Sequence, residues 1–120
     1  MMDLEITEFN DGGYASLVSH DGWRVAIVNS CERLLEKNLI KMERHLKSNE
    51  VFILIDGQAT LFTGEEMKRC NMEKGKVYDV KSCIWHCIAL EENSKVIVVE
   101  NDDVCETNSE YMFFERKSHV

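Results

Sequence analysis

The chain of 120 residues carries 22 acidic and 14 basic residues, which gives a net charge of −8 at neutral pH. This charge argues against a nucleic-acid or anionic-membrane partner, because binding to phosphate groups needs a basic patch. A hydrophobic content of 44% is typical of a folded globular protein, and the length predicts one domain over residues 1–120.

The cysteines and the N-terminal residues predict a cytoplasmic protein. There are five cysteines, and an odd number without a Cys-x-x-Cys pair is typical of reduced thiols rather than of disulfides or a structural zinc cluster. The opening residues MMDLEITEFNDGG lack the basic and apolar regions of a secretory signal. No apolar run approaches the roughly 18 residues of a membrane span.

Short segments of β-branched and apolar residues recur along the chain, separated by turn residues. Residues 31–37 could form a loop or a short helix, with Ser30 as a possible cap. The dipeptide Asp56-Gly57 is a strong signal for a hairpin. No long helical period competes, so the pattern predicts an all-β sandwich or barrel. The predicted strands are Trp23–Asn29, 39–45, Glu50–Asp56, 76–81, 85–90 and Lys95–Asn101.

The strand Glu50–Asp56 places a carboxylate among large apolar residues. Side chains two apart share one face of a strand, so Glu50 points the same way as Phe52 and Leu54. Both faces are apolar apart from the ends, which predicts a strand buried on both sides. A buried carboxylate costs several kcal/mol unless another group pairs with it. Glu50 therefore needs partners from other strands.

Two neighbouring strands offer such partners. Glu43 and His45 share a face of the preceding strand, and His86 shares a face with Ile88 and Leu90. Glu43, His45, Glu50 and His86 could therefore converge inside one barrel. Imidazole and carboxylate groups are the usual ligands of a divalent zinc, iron, manganese or nickel ion.

The spacing of these residues resembles the first motif of the cupin superfamily, G-x5-H-x-H-x3,4-E-x6-G. The segment His45-x4-Glu50-x6-Gly57 matches its second half in full. Glu43 stands in place of the first histidine, and Lys37 stands in place of the leading glycine.

The second cupin motif, G-x5-P-x-G-x2-H-x3-N, is matched in part. Gly75 and His86 are in register, and three other positions differ from the motif. In the family none of these three is a ligand, so the substitutions concern the geometry of the turn. They are Lys81 for proline, Cys83 for glycine and Leu90 for asparagine.

The resemblance implies an RmlC-like, jelly-roll-type double-sheet β-barrel with little helix. The motifs lie in a core at about residues 37–100, and the N-terminal strands and the C-terminal tail YMFFE would pack on the barrel or form a homodimer. The resemblance makes His45, Glu50 and His86 metal ligands, with Glu43 as the fourth. Alternatively, Glu43 is a solvated charge beside Arg44 or a partner that orients His45.

Three functions remain open from the sequence, which does not decide whether the protein is an enzyme. The first is a small-molecule-binding cupin with a divalent metal ion, acting on or sensing a sugar or carboxylate. The second is a metal-free binding or assembly module, in which Glu50 hydrogen-bonds a histidine or a water. The third is a sugar epimerase-like enzyme with His45 as base and Tyr78 as acid. We expect Cys83 and Cys87 to serve packing, and Trp85 to serve packing or a dimer surface.

Overall fold

Two five-stranded antiparallel sheets face each other and enclose the interior of the protein. The structure, a computed structural model, describes residues 3–115. The strands in chain order are β1 Gly13–His20, β2 Trp23–Asn29, β3 Lys41–His45, β4 Glu50–Asp56, β5 Ala59–Thr63, β6 Lys68–Asn71, β7 Tyr78–Val80, β8 His86–Leu90, β9 Lys95–Asn101 and β10 Ser109–Phe113. One sheet has the order β1-β2-β9-β4-β7, and the other has the order β10-β3-β8-β5-β6.

The prediction of an all-β double-sheet barrel is confirmed. Along β4 and β9, alternate side chains point into the interior, and a cluster of apolar residues from both sheets fills it. Within residues 3–115 the helical structure consists of three single turns of 3-10 helix, at Glu32–Leu34, Glu36–Asn38 and Glu106–Asn108. None of the described helices is long and apolar enough to cross a membrane.

The hairpin predicted at Asp56-Gly57 is wrong. β4 pairs with β7 and β9, whereas β5 pairs with β6 and β8 in the other sheet. The dipeptide therefore carries the chain from one sheet to the other. Gly57 has a φ of +76°, and a Cβ atom there would lie 2.7 Å from the Cα atom of Ser94. This close approach requires a glycine, although the turn is not a hairpin.

Two local predictions are also corrected. The outer face of β4 is half-buried at Val51 and Ile53 and exposed at Ile55, so the strand is not buried on both sides. Ser30 does not cap the first 3-10 turn, because Cys31 stands at the N-cap. The Ser30 hydroxyl instead donates a hydrogen bond of 3.4 Å to the carbonyl of Leu90.

The C-terminal tail enters the second sheet. Residues 111–113 belong to β10, which pairs with β3 from Ser109 opposite His45 to Phe113 opposite Lys41. This pairing makes β10 an edge strand. His119 lies outside the described residues.

Candidate metal centre

Four side chains converge inside the barrel near one end of strands β3, β4 and β8. Glu43 and His45 come from β3, Glu50 from β4 and His86 from β8. Glu43 and His86 stand directly opposite each other in the sheet. One donor atom from each of the four lies within 4.8 Å of the others. The convergence expected from strand periodicity is therefore present, while the role of the four residues as ligands stays a prediction.

Both histidines turn the same ring nitrogen towards Glu50. The Oε1 atom of Glu50 lies 3.1 Å from Nε2 of His45 and 2.7 Å from Nε2 of His86. The Nδ1 atom of His86 donates to the carbonyl of Ile84 at 2.9 Å, and Nδ1 of His45 lies 2.8 Å from the hydroxyl of Ser109. The Nδ1 contacts fix both rings so that each Nε2 faces the centre of the cluster.

Hydrogen bonds in this cluster favour the charged forms of its members. Burial alone would raise the pKa of Glu50, but the hydrogen bonds from His45 and His86 outweigh it and hold that pKa well below its usual range. Burial alone would lower the pKa of each histidine, but the hydrogen bond and charge of Glu50 outweigh it and raise both values. Without an ion, Glu50 is thus a carboxylate that stabilises imidazolium partners.

Glu43 is the accessible member of the cluster. Its side chain is 37% exposed, whereas the side chains of His45, Glu50 and His86 are less than a tenth exposed. Its Oε1 atom lies 3.7 Å from Nε2 of His45. Glu43 can therefore approach either an ion at the histidines or a molecule that enters from outside.

A second buried carboxylate, Glu100, was missed by the sequence reasoning. It stands directly opposite Glu50 in the pairing of β4 with β9, and it is only 6% exposed. Val96, Val98 and Glu100 share one face of β9 by the same alternation that located Glu50. Applying that rule to the segment KVIVVEN would have found it.

Glu100 is held on its other side by two side chains from neighbouring strands. Its Oε1 atom accepts hydrogen bonds from Tyr14 Oη at 2.9 Å and from Nε and Nη2 of Arg24 at 3.0 and 2.7 Å. Burial and the hydrogen bond with the charged Glu50 raise the pKa of Glu100 to about 7, although Arg24 and Tyr14 oppose the shift. A series of hydrogen-bonded polar side chains thus runs from Glu50 through Glu100 to Tyr14 at the surface.

A cavity of about 1040 Å³ leads from the surface to the cluster. It reaches Glu43 and His86, and three basic side chains, Arg33, Lys37 and Lys41, lie along it. The two 3-10 turns before β3 and the residues after β10 supply most of the remaining wall. Its volume suits a small molecule, since ligand pockets are commonly about 300–1,000 Å³.

Structural comparison places this arrangement in a known fold. A cupin-2 domain protein from Shewanella frigidimarina aligns with 78% of this chain and 84% of its own, with a TM-score of 0.57 and 17% identity. A variant of Streptomyces Pac13 with uridine aligns with 88% of this chain and 83% of its own, with a TM-score of 0.63 and 12% identity. The protein has the fold of the cupin superfamily.

A third similar structure contains iron. It is Fe(II) HppE, with a TM-score of 0.59 and 17% identity over 73% of this chain and 48% of that protein. At such identities the likeness establishes the fold and not the activity. No protein-family model and no curated protein matches the sequence.

The altered second cupin motif keeps its backbone turn. Cys83, at the position of the family's glycine, has a φ of +68°, in the left-handed region that favours glycine. Its side chain is exposed, so the expectation that it serves packing is wrong. Cys87 is half-buried, and burial raises the pKa of its thiol to about 12, which does not suit a nucleophile.

Two aromatic residues near the cupin motifs have structural contacts. The guanidinium of Arg44 lies over the ring of Trp85, 4.5 Å from its centroid. The hydroxyl of Tyr78 accepts a hydrogen bond of 2.9 Å from the backbone amide of Glu73. Tyr78 therefore lies outside the cluster, and the histidine base and tyrosine acid of an epimerase-like site are not brought together.

The cluster has the donor set that a divalent ion requires. Two imidazole nitrogens, whose rings are held from outside by Ser109 and by the carbonyl of Ile84, converge with two carboxylates, and such sets bind zinc, iron, manganese or nickel. The partners of the histidines, Ser109 and the carbonyl of Ile84, are of the kind that orient metal-bound imidazoles. The residues therefore fit a metal ion, and Glu43, His45, Glu50 and His86 are the ones that would hold it.

Proposed function

We propose that the protein is a small-molecule-binding cupin that holds a divalent metal ion with His45, Glu50, His86 and Glu43. The observation that carries this proposal is the meeting of two Nε2 atoms and two carboxylates beside a cavity that reaches Glu43 and His86. The ion would be zinc, manganese, iron or nickel. When bound, it would polarise an oxygen atom of the ligand or activate a water molecule.

Within this site, Glu43 is the residue best placed to exchange a proton with a ligand. Glu50 is held by His45, by His86 and by Glu100 behind it, whereas Glu43 is partly exposed at the cavity. A general base must lie within hydrogen-bond reach of the proton that it removes. If the protein is an enzyme, acid–base work would fall to Glu43 in the arrangement where His45, Glu50 and His86 hold the ion and the Glu43 carboxylate stays free.

The cavity favours an acidic ligand over a neutral sugar. Arg33, Lys37 and Lys41 lie along it in a protein whose net charge is −8. An ion held by Glu43 and Glu50 would have its two charges balanced by those carboxylates. The three basic side chains then outnumber the remaining acidic ones, Glu32 and Glu115, so a ligand carboxylate would be attracted.

A metal-free binding or assembly cupin is the alternative, and one observation favours it. Every buried side-chain nitrogen and oxygen atom of the described residues already has a hydrogen-bond partner without an ion. A carboxylate flanked by imidazolium groups is itself a satisfied arrangement. In this case the interior residues would serve only structure.

The test is metal uptake by the purified chain and by His86→Ala. We expect near one equivalent of a first-row metal per chain by elemental analysis, and none in the variant. His20→Ala, which removes an exposed histidine outside the cluster, should retain the metal. Finding no metal in the wild-type protein, before or after adding zinc, manganese, iron or nickel, would contradict the metal site and leave the alternative.

Ligand class is tested separately with glucuronate and glucose, which differ by one carboxylate. We expect glucuronate to perturb the NMR spectrum of the metal-loaded protein at lower concentration than glucose, and Arg33→Ala with Lys37→Ala to reduce that difference. Equal responses to glucuronate and glucose would refute the preference for acidic ligands. The proposal of a metal site would be unaffected by that result.

Two further proposals concern the state of the protein in the cell. All five cysteines are free, which supports a cytoplasmic location. We also propose that the protein forms a homodimer.

A further inference from the structure

Three cross-strand pairs run outward from the candidate metal centre along β3 and β10. His45 and Ser109 are buried, whereas Tyr111 is 39% exposed and Phe113 is 64% exposed. Members of a cross-strand pair point to the same face of the sheet, and His45 points into the barrel. One face of these two strands therefore leads from the buried centre to the surface. The pairs in order are His45 with Ser109, Glu43 with Tyr111, and Lys41 with Phe113.

Two aromatic rings hold the amino group of Lys41 at the outer end of this face. Its Nζ atom lies 4.3 Å from the centroid of the Tyr111 ring and 5.6 Å from the centroid of the Phe113 ring. A cation within about 6 Å of a ring centroid is attracted by the negative face of the ring. The charge of Lys41 is therefore held beside Tyr111, whose cross-strand partner is Glu43 of the candidate metal centre.

Lys41 differs from the other cations that lie over aromatic rings in the described part of the chain. Those three are arginines, and each also forms an ion pair with a carboxylate. Among residues 3–115, Lys41 has no carboxylate within ion-pair distance. A cation that is positioned and lacks an anion suits a ligand carboxylate, because charge-assisted hydrogen bonds are the strong ones. The arginine pairs are Arg24 with Glu100, Arg44 with Glu110 and Arg69 with Glu36.

Lys41 also lies at a defined distance from the candidate metal centre. Lys41 and Glu43 both line the cavity, and they stand two residues apart on one strand, which separates their Cα atoms by about 7 Å. Arg33 and Lys37, the other basic side chains of the cavity, belong to 3-10 turns outside the sheet. A ligand that lies beside Glu43 with its acid group at Lys41 thus needs a spacer of comparable length, and a para-substituted benzene ring supplies one.

We propose that Lys41, Tyr111 and Phe113 select an aromatic carboxylate as the ligand of this site. Lys41 binds the carboxylate, and the rings of Tyr111 and Phe113 pack against the ring of the ligand, whose far end reaches Glu43. Aromatic rings prefer each other to saturated groups of the same size, because edge-to-face and offset contacts add to the burial of apolar surface. The proposal rests on the proposed small-molecule function, and it narrows the acidic ligand to one with an aromatic ring.

The first experiment compares 4-hydroxybenzoate with trans-4-hydroxycyclohexanecarboxylate, which carries the same polar groups on a saturated ring. Each acid is titrated by calorimetry into the full chain, with and without prior loading with zinc. We expect the aromatic acid to bind about fivefold more tightly. Equal affinities, or no saturable binding of 4-hydroxybenzoate in the millimolar range, would overturn the proposal.

The second experiment assigns the contacts to residues. Lys41→Gln should weaken the binding of both acids by about tenfold or more, because a hydrogen bond to a charged group is lost. Tyr111→Leu with Phe113→Leu should remove the preference for the aromatic acid, whereas Tyr111→Phe, which keeps the ring, should retain it. The control is Lys74→Gln, at an exposed lysine in the turn between β6 and β7, and it should bind as the wild type does. An unchanged affinity in Lys41→Gln, or an unchanged preference in the leucine variant, would refute the assignment.

Metal content and oligomeric state, measured on the same samples, separate this proposal from the others. If the wild type holds no metal but still prefers the aromatic acid through Lys41, the metal site is contradicted and the aromatic-acid site is supported. If zinc binds while the two acids bind equally, only the aromatic-acid site is contradicted. If Tyr111→Leu with Phe113→Leu loses a dimer and leaves the binding of both acids unchanged, the two rings serve contact between copies of the chain, which also overturns the proposal.

Discussion

The interior of the barrel has a polar end and an apolar end, built by the same two strands. Glu50 faces Glu100 at one end of the pairing of β4 with β9, and Leu54 faces Val96 at the other. Between them Phe52 lies opposite Val98, and its ring meets the ring of His86 edge to face, with centroids 5.9 Å apart. The alternation of side chains along β4 and β9 therefore forms both ends of the interior. The two ends differ only in the chemistry of those side chains.

The two ends stabilise the fold in different ways. At the apolar end, any well-packed group gains by leaving water, at roughly 25 cal/mol per Å² of buried surface. At the polar end, burial costs free energy unless each group finds a specific partner. Glu50 has His45 and His86, and Glu100 has Tyr14 and Arg24. A polar end that is this well supported is a candidate for function rather than for stability.

The largest effect on metal binding is expected from Glu50→Gln. It removes a carboxylate that faces both histidines, and even the outer partners of metal ligands are worth about 10- to 100-fold in affinity. Calorimetric titration with zinc should therefore show no measurable binding. Asp56→Asn removes an exposed carboxylate from the same strand and should bind as the wild type does. An unchanged zinc affinity in Glu50→Gln would contradict the claim that the polar end, unlike the apolar end, binds the metal ion.

The largest effect on stability is expected from Leu54→Ala. Leu54 is 2% exposed, and such truncations leave a cavity that costs about 3 kcal/mol in the free energy of unfolding. Urea unfolding of the metal-free protein measures this loss, and metal stoichiometry should not change. Ile55→Ala, at a side chain that is 37% exposed, should cost less than about 1 kcal/mol. A loss of metal in Leu54→Ala without unfolding would show that the ends are not separable.

A smaller effect on metal affinity is expected from replacing Glu100, which hydrogen-bonds Glu50. Replacing Glu100 by leucine removes the group that hydrogen-bonds Glu50 and leaves Arg24 without its buried partner, so we expect metal affinity to fall about tenfold. Glutamine at this position still donates to Glu50 and accepts from Arg24 and Tyr14. Glu100→Gln should therefore bind metal nearly as the wild type does. Equal losses in the two variants would mean that Glu100 acts through its charge.

The smallest effect is a dependence of stability on pH. The raised pKa values of His45 and His86 mean that their stabilising contribution is complete below the ordinary imidazole value of about 6.5 and is lost as the pH rises through the raised values. Glu100, with its pKa raised to about 7, acts in the same direction. The lowered pKa of Glu50 leaves that residue charged throughout this range.

Metal binding has the opposite dependence, because a ligating imidazole must lose its proton. Thermal unfolding should therefore show the metal-free protein losing stability from about pH 6 to about pH 8, while the difference between the loaded and metal-free midpoints widens. Leu54→Ala should lower both curves without changing their slopes. A metal-free curve that rises over this range would contradict the charge states assigned to the polar end.

Much of this arrangement could be predicted from the sequence. Alternation put Glu43 on one face with His45, Glu50 on one face with Phe52 and Leu54, and His86 on one face with Ile88 and Leu90. This sharing of faces suggested that the four polar residues could converge inside one barrel. The strands β2, β4 and β9 were predicted with their observed ends, since β-branched residues fill them and turn residues bound them. The residue spacing of the cupin motifs then indicated that the strand faces carrying His45, Glu50 and His86 meet inside the barrel.

The rest depended on pairing between distant segments. Asp56-Gly57 identified a turn, but nothing local showed that β5 would join the other sheet. Glu100 became part of the site only because β9 lies between β2 and β4, which brings Arg24 and Glu50 to either side of it. The support of His45 by Ser109 likewise depends on β10 pairing with β3 across more than 60 residues of chain.

The central claim is that the polar end of the barrel binds a divalent ion through two imidazoles and at least one carboxylate. X-ray absorption spectroscopy of the zinc-loaded protein tests it most directly, because it distinguishes nitrogen, oxygen and sulfur ligands and detects imidazole rings. We predict two imidazole nitrogens with oxygen in the remaining positions, and one imidazole in His45→Ala. Sulfur ligands, a spectrum unchanged in that variant, or no bound zinc at all would contradict the account.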